Sequence, residues 1–531
     1  MLQFLFGFTF LLMFAGKQSA TAATSVTSYG ITWFFSEDRP VGQFANGDWW
    51  VVGPVTITGI SPNDTAPTDS VDIHGTMINP AFNTSGTAGW NALQGFDSRI
   101  RDSSYQAGLN VAKRLPATVA AGSSVMSSRS VLAAVSGDNQ QLDEIAILTV
   151  VASAPAAGTF RPPYIGTQKP LTWNKSQLLY SRLKKLAPVA STPTFAATEA
   201  HFARPMIAMG PSWTGRYMHP VQHDSPNYGR EMAHKLGAGM LLLNLNYTDA
   251  QKETLLIRMV QRGIDLYGIL NSGGGWWPDG GQNHGRKGFV VLAGALLNDS
   301  QILARVNGGF HEDGQHFYVS QADVTRAREA GREPYTAAMI GMPEWGEKHS
   351  INAARDGSQW VINYRDINGV ANMGAILAAR IMGIESLWNH PATFDYMDRF
   401  YAIEAANVST SPNSIQPFVS NMWKAYRGTG SGITPPPVTT FAIGDRISTI
   451  RNTNVRATGT LTGTLLGVQL AGNLGTIVAG PITADSITWW QVNYDTGADG
   501  WSGADNFAKS NIGPPAPTPP APPSGVIVGE D

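Results

Sequence analysis

Two periods of apolar and polar positions divide the chain. From about Ser25 to Pro155, short runs such as "GITWFF", "DWWVVGPVTITGI" and "EIAILTVVASA" are separated by Gly, Pro, Asn and Asp. Short β-branched and aromatic runs bounded by turn residues suit half-buried strands, so residues 25–165 predict an antiparallel β-sandwich. The stretch "TFRPPYIG", ending at Gly166, reads as a rigid connector, because each proline fixes its own φ and biases the residue before it toward extended backbone. Beyond Lys175 the period lengthens. "KSQLLYSRLKKL", "YGREMAHKLGAGMLLLNL", "TDAQKETLLIRMVQRGIDLYGIL", "GRKGFVVLAGALLND", "NGVANMGAILAARIMG" and "ATFDYMDRFYAIEAA" carry apolar residues at helical spacing. Several share one plan, a small-residue helix followed by a short polar turn and a second helical stretch. That recurrence predicts helix pairs closed into a ring, an all-α α/α toroid over residues 166–427. "GTGSGITPPPVTT", residues 428–440, has linker composition. Short strands and turns follow over 441–510, and a proline-rich tail over 511–531.

The remaining composition narrows the class. At 531 residues, roughly three units is the fair expectation for domains of about 100–200 residues. A formal charge of −2 leaves no basic footprint for nucleic acid. The start combines an apolar run, Leu2 to Ala15, with Ala20-Thr21-Ala22, although no Lys or Arg precedes the run. It reads as a signal peptide over 1–24, too short to span a bilayer, and predicts a secreted, periplasmic or cell-surface protein with no membrane partner after cleavage. The absence of cysteine excludes disulfides, thiolate metal sites and a Cys nucleophile.

Candidate chemistry concentrates in "NSGGGWWPDGGQNHGRKGF". Glycines allow a tightly folded loop, and the flat indoles of Trp276 and Trp277 offer a platform for a sugar ring. Asn283, His284, Arg286 and Lys287 then supply an amide, a group titrating near neutrality and two cations at a helix start, which favours anions. Asp279 belongs to the same loop. A second group, His223, Tyr228 and Arg230, stands before the next apolar helix. Here His219 and His223 have helical zinc spacing, but Pro220 and Pro226 argue for a loop, so no metal is predicted. Glu344 in "MPEWGEKH", and Tyr364 with Arg365 at a helix entrance, complete the set, the arginine suiting carboxylate recognition. "FHEDGQHFYV" reads as a hydrogen-bonded loop because Gly314 interrupts it. No P-loop, dinucleotide fingerprint or G-x-S-x-G elbow occurs, and no cofactor is expected.

Two resemblances add to this reading. Asn454-Val455-Arg456, the Gly475-Thr476 turn, Trp490-Gln491-Val492 and Gly500-Trp501 follow the order and approximate spacing of bacterial Src-homology-3-like domains. The resemblance implies a small β-barrel over 441–510 and a possible cell-wall partner, although Thr453 replaces the usual Leu and the Gly-Pro after the arginine is missing. The Asn283-His284 pair within the expected toroid resembles α/α-toroid uronate lyases of the alginate-lyase kind. That resemblance implies β-elimination on an acidic polysaccharide; residue type and loop position then make His284, Tyr228, Tyr364, Asn283 and Arg286 the expected catalytic residues and Trp276, Trp277, Asp279, Lys287, His223, Arg230, Glu344 and Arg365 the expected substrate-binding ones. Two alternatives remain at this point: a glycoside hydrolase using paired carboxylates, and a non-catalytic carbohydrate or cell-wall binding protein.

Overall fold

A computed structural model describes residues 20–63, 71–82, 93–100, 105–133, 140–210, 218–220, 228–276, 281–325, 335–345, 368–411, 413–427, 441–449, 453–470, 472–484, 487–510 and 512–513. The chain divides into two compact units, residues 1–317 with 343–432, and residues 318–342 with 433–531.

In the larger unit the expected sandwich is a single curled, mixed sheet. Its strands are β1 (Thr21–Ser28), β2 (Ile31–Gln43), β3 (Trp49–Val52), β4 (Val55–Ser61), β5 (Thr76–Ile78), β6 (Ala117–Val119), β7 (Ser123–Ser130) and β8 (Leu142–Val151). They run in the order β5-β7-β8-β3-β2-β4-β6, with β1 paired to β2, and β3 and β8 are parallel. The two faces of β8 explain why alternation misled. Ile145 and Ile147 join the core shared with the helices, whereas Ala146, Leu148 and Val150 join a second core with Val26, Trp33, Val41 and Ile57. Curling brings the inner faces of one sheet together, so one sheet supplies the core that two would supply in a sandwich.

The all-α toroid is also corrected. Eleven α-helices occur among the described residues, but all except the short Gln321–Thr325 helix lie with the sheet in one compact unit rather than forming a domain of their own. Six reach ten residues: Gly229–Leu243, Asp249–Asn271, Lys287–Leu297, Met373–Met382, Pro391–Glu404 and Pro417–Tyr426. The stretch read as helix over 175–186 holds only two short 3-10 turns. Leu241, Leu256 and Leu292 share one core with Met126 and Ile147, so the almost wholly apolar helices reflect burial against a sheet and against each other. Their starts are well specified: Thr248 and Gln251 form a reciprocal capping box at Asp249. Among the described residues no helix is long and apolar enough to cross a membrane.

A buried ion cluster ties sheet to helices. Arg161 donates from Nε to Asp48 at 2.6 Å, from Nη2 to Asp265 at 2.6 Å and from Nη1 to the Pro162 carbonyl. Asp48 precedes β3 and Asp265 lies in the Asp249–Asn271 helix, so one guanidinium joins two layers.

The smaller unit, in place of a closed small barrel, forms a seven-stranded antiparallel sheet in an open order, with Leu465–Gln469 and Phe507–Lys509 at its edges. Ile447, Val455, Ile477, Val492 and Phe507 form its core. Asn454 donates to the Gly341 carbonyl at 3.2 Å, which fastens the 318–342 segment to that sheet.

Candidate functional site

The site forms where the Gly281–Arg286 loop meets the start of the Gly229–Leu243 helix. Tyr228, in extended backbone, is the residue before that helix. Its hydroxyl accepts a hydrogen bond from the Gly281 amide at 3.2 Å. Two glycines make the approach possible. A Cβ on Gly229 would stand 2.3 Å from the Gln282 carbonyl oxygen and 2.6 Å from the His284 nitrogen, and one on Gly281 would stand 2.0 Å from the Asn368 amide oxygen. Tyr228, Asn368 and the Asn283-His284 pair therefore occupy one neighbourhood.

Within it, His284 is fully buried, and burial depresses its pKa to about 3 despite its hydrogen bond to Gln315. The imidazole is neutral at physiological pH. Its Nε2 lies 2.7 Å from Gln315 Oε1, an acceptor, so Nε2 carries the proton and donates it. Nδ1 then keeps an open lone pair, and it has no hydrogen-bond partner among the described residues. The His311 ring packs 4.0 Å away, centre to centre. Neither amide atom of buried Asn368 has a hydrogen-bond partner among the described residues.

The residues after the pair hold this geometry. Arg286 donates from Nη1 to the His284 and Gln282 carbonyls, and burial lowers its pKa to about 10. Glu312 Oε1 accepts from the Arg286 and Lys287 amides, capping the Lys287–Leu297 helix with negative charge where the helix dipole favours it. Lys287 donates to both Asp313 oxygens at 2.7 and 2.6 Å. Burial pushes Lys287 down and Asp313 up, and their mutual attraction opposes both shifts. Lys287 is therefore a tie to the His311–Gln315 helix, whose sequence includes the Gly314 expected to break it.

Trp276 is not an exposed platform. It is fully buried, donates its indole N–H to the Ala208 carbonyl at 3.0 Å and faces the Arg286 guanidinium at 5.6 Å. Arg230 pairs with Glu231, bonds Asn413 and lies 5.5 Å from the Tyr228 ring. Glu344 is buried, accepts from the Trp345 amide and stands 3.7 Å from Arg399. Trp277, Asp279, His223, Tyr364 and Arg365 lie outside the described residues. His311, Glu312 and Gln315 were the residues whose part in the site the sequence concealed. Their only signal was the density of polar groups in "FHEDGQHF". Among the described residues no group of three His, Cys, Asp or Glu is placed to hold a metal ion. No protein family, curated protein or solved structure matches the chain.

Proposed function

We propose that the protein is an exported enzyme that cleaves an acidic, uronate-containing polysaccharide by β-elimination, with His284 as base and Tyr228 as acid. The observation that carries the reading is the unprotonated, unpartnered Nδ1 of a neutral imidazole in the same loop cluster as a phenol and an unsatisfied amide. In such a reaction the base takes the proton next to the uronate carboxylate, and the electron pair forms the new double bond. The bond to the departing oxygen breaks, and that oxygen takes its proton from the phenol. Negative charge grows on the carboxylate, where the amides of Asn283 and Asn368 and the charge of Arg286 oppose it. The cluster is buried, so a polymer reaches it only after local opening.

The hydrolase alternative needs two available carboxyl groups about 5–9.5 Å apart. Of the carboxylates near the site, Asp313 is committed to Lys287 and Glu312 Oε1 to helix capping, while Asp279 lies outside the described residues. A panel of acidic and neutral polysaccharides, scored for unsaturated ends and reducing ends, tests the reading. Both signals together on an acidic polymer support it; reducing ends alone, or neither signal on any polymer, reject it.

A further inference from the structure

A second polar recess lies between the Asp249–Asn271 helix and the segment 202–205, lined by Asn46, Arg161, Arg204, Arg258, Arg262 and Asp265 among others. Its charges do not balance. Four guanidiniums line it, from Arg161, Arg204, Arg258 and Arg262. Three carboxylates pair with them: Asp48 and Asp265 on Arg161, and Glu144 on Arg204 at 2.8 Å. Among the described residues Arg258 donates only to the Glu199 carbonyl, at 2.9 Å. Arg262, 2% exposed, donates among the described residues only from Nη2, to the His201 and Arg204 carbonyls, and its buried Nε has no partner there. Phe202 and Phe289 lie 4.9 and 5.7 Å from its guanidinium centre.

Asp265 attracts Arg262 from within the recess but is not hydrogen-bonded to it, and a buried guanidinium with an idle donor is costly unless something satisfies it. Aromatic faces lessen that cost but leave the N–H directions unmet. We propose that this recess binds a small oxyanion, a carboxylate, sulfate or phosphate group, with Arg262 as the buried contact and half-buried Arg258 at the rim. Guanidinium groups recognise such oxygens through parallel charge-assisted hydrogen bonds. Asp265 lines the same recess, but both its oxygens are engaged, by Arg161 and by the Tyr164 amide. The bound anion also neutralises the surplus charge beside the Arg161 tie, so occupancy stabilises the larger unit by mass action.

The test is melting of the full chain, followed in rising sulfate, phosphate or glucuronate against chloride at matched ionic strength. Sulfate also stabilises proteins generally by exclusion, so the comparison is with Arg258→Gln and Arg262→Met. The expected result is a saturable rise in melting temperature with at least one oxyanion, with affinity weakened by about tenfold or more in Arg258→Gln. The order among the three anions distinguishes a carboxylate ligand from a tetrahedral one. If Arg262→Met fails to fold, Arg258→Gln, half-exposed in the wild type, carries the comparison alone. An equal shift in wild type and Arg258→Gln, or no saturable shift with any of the three, overturns the proposal. Because the readout is binding, a failed polysaccharide assay leaves it unaffected.

Discussion

Two buried polar clusters in the larger unit follow opposite rules. Around Arg161 the charged donors are matched: Nε meets Asp48, Nη2 meets Asp265 and Nη1 meets a carbonyl. Around His284 the matching stops short, since among the described residues His284 Nδ1, Glu312 Oε2, His316 Nε2 and both amide atoms of Asn368 have no hydrogen-bond partner. Folded chains rarely leave buried polar atoms unmatched, because each unsatisfied group costs about 1–3 kcal/mol. The first cluster serves the fold, joining sheet to helices. The second holds polar groups in reserve, which suits a site that acts on something else.

Breaking the matched cluster carries the largest expected effect. Arg161→Met leaves Asp48 and Asp265 buried without their cation, and denaturant unfolding of the larger unit should show a loss of about 3–5 kcal/mol. A loss below about 1 kcal/mol would erase the distinction between the clusters. Next comes Gly229→Ala, whose methyl meets the Gln282 carbonyl and the His284 nitrogen. Overpacking there should cost about 1–3 kcal/mol and separate Tyr228 from the Asn-His loop. Turnover should fall in this variant even at temperatures where it remains folded; retained turnover would detach the helix start from the site.

At neutral pH the smallest effect is a pH slope, which is absent there and grows only with acidity. His219, His284 and His316 are each depressed to about 3 by burial. Above about pH 6.5 both folded and unfolded forms of such a residue are neutral, and its contribution to stability is complete. As pH falls below that value the unfolded chain takes up the proton and the folded chain does not. Stability therefore declines until about pH 3, by up to about 1.4 kcal/mol per pH unit for each histidine. Replacing His316 by Gln should flatten the dependence by one proton between pH 6 and 4. Parallel wild-type and variant profiles would mean that His316 is not held neutral.

How much of this was legible in the sequence depends on what kind of contact decided it. The long helices were, because apolar spacing reports one buried stripe: "TDAQKETLLIRMVQRGIDLYGIL" runs closely with the Asp249–Asn271 helix and its Thr248 cap. The layer arrangement was not. The run "EIAILTVV" is the same whether its second face meets another sheet or the inside of a curl, and apolar helices are the same whether they ring a hollow or cover a sheet. At the site, the Asn283-His284 pair and Tyr228 stood out by residue type, and the fold sets their loop beside one another. Trp276 misled because an indole that ends against the Ala208 carbonyl and one that faces solvent have the same sequence surroundings. Asn368 needed the third dimension, being some eighty residues from the loop it adjoins.

The most direct test of the central claim pairs folding with chemistry in His284→Ala. On the acidic polymer that wild type cleaves, the variant should lose the unsaturated, ultraviolet-absorbing product by about a hundredfold or more at temperatures where its cooperative unfolding transition shows it still folded. Wild-type rates of that product from a folded His284→Ala variant would contradict the account.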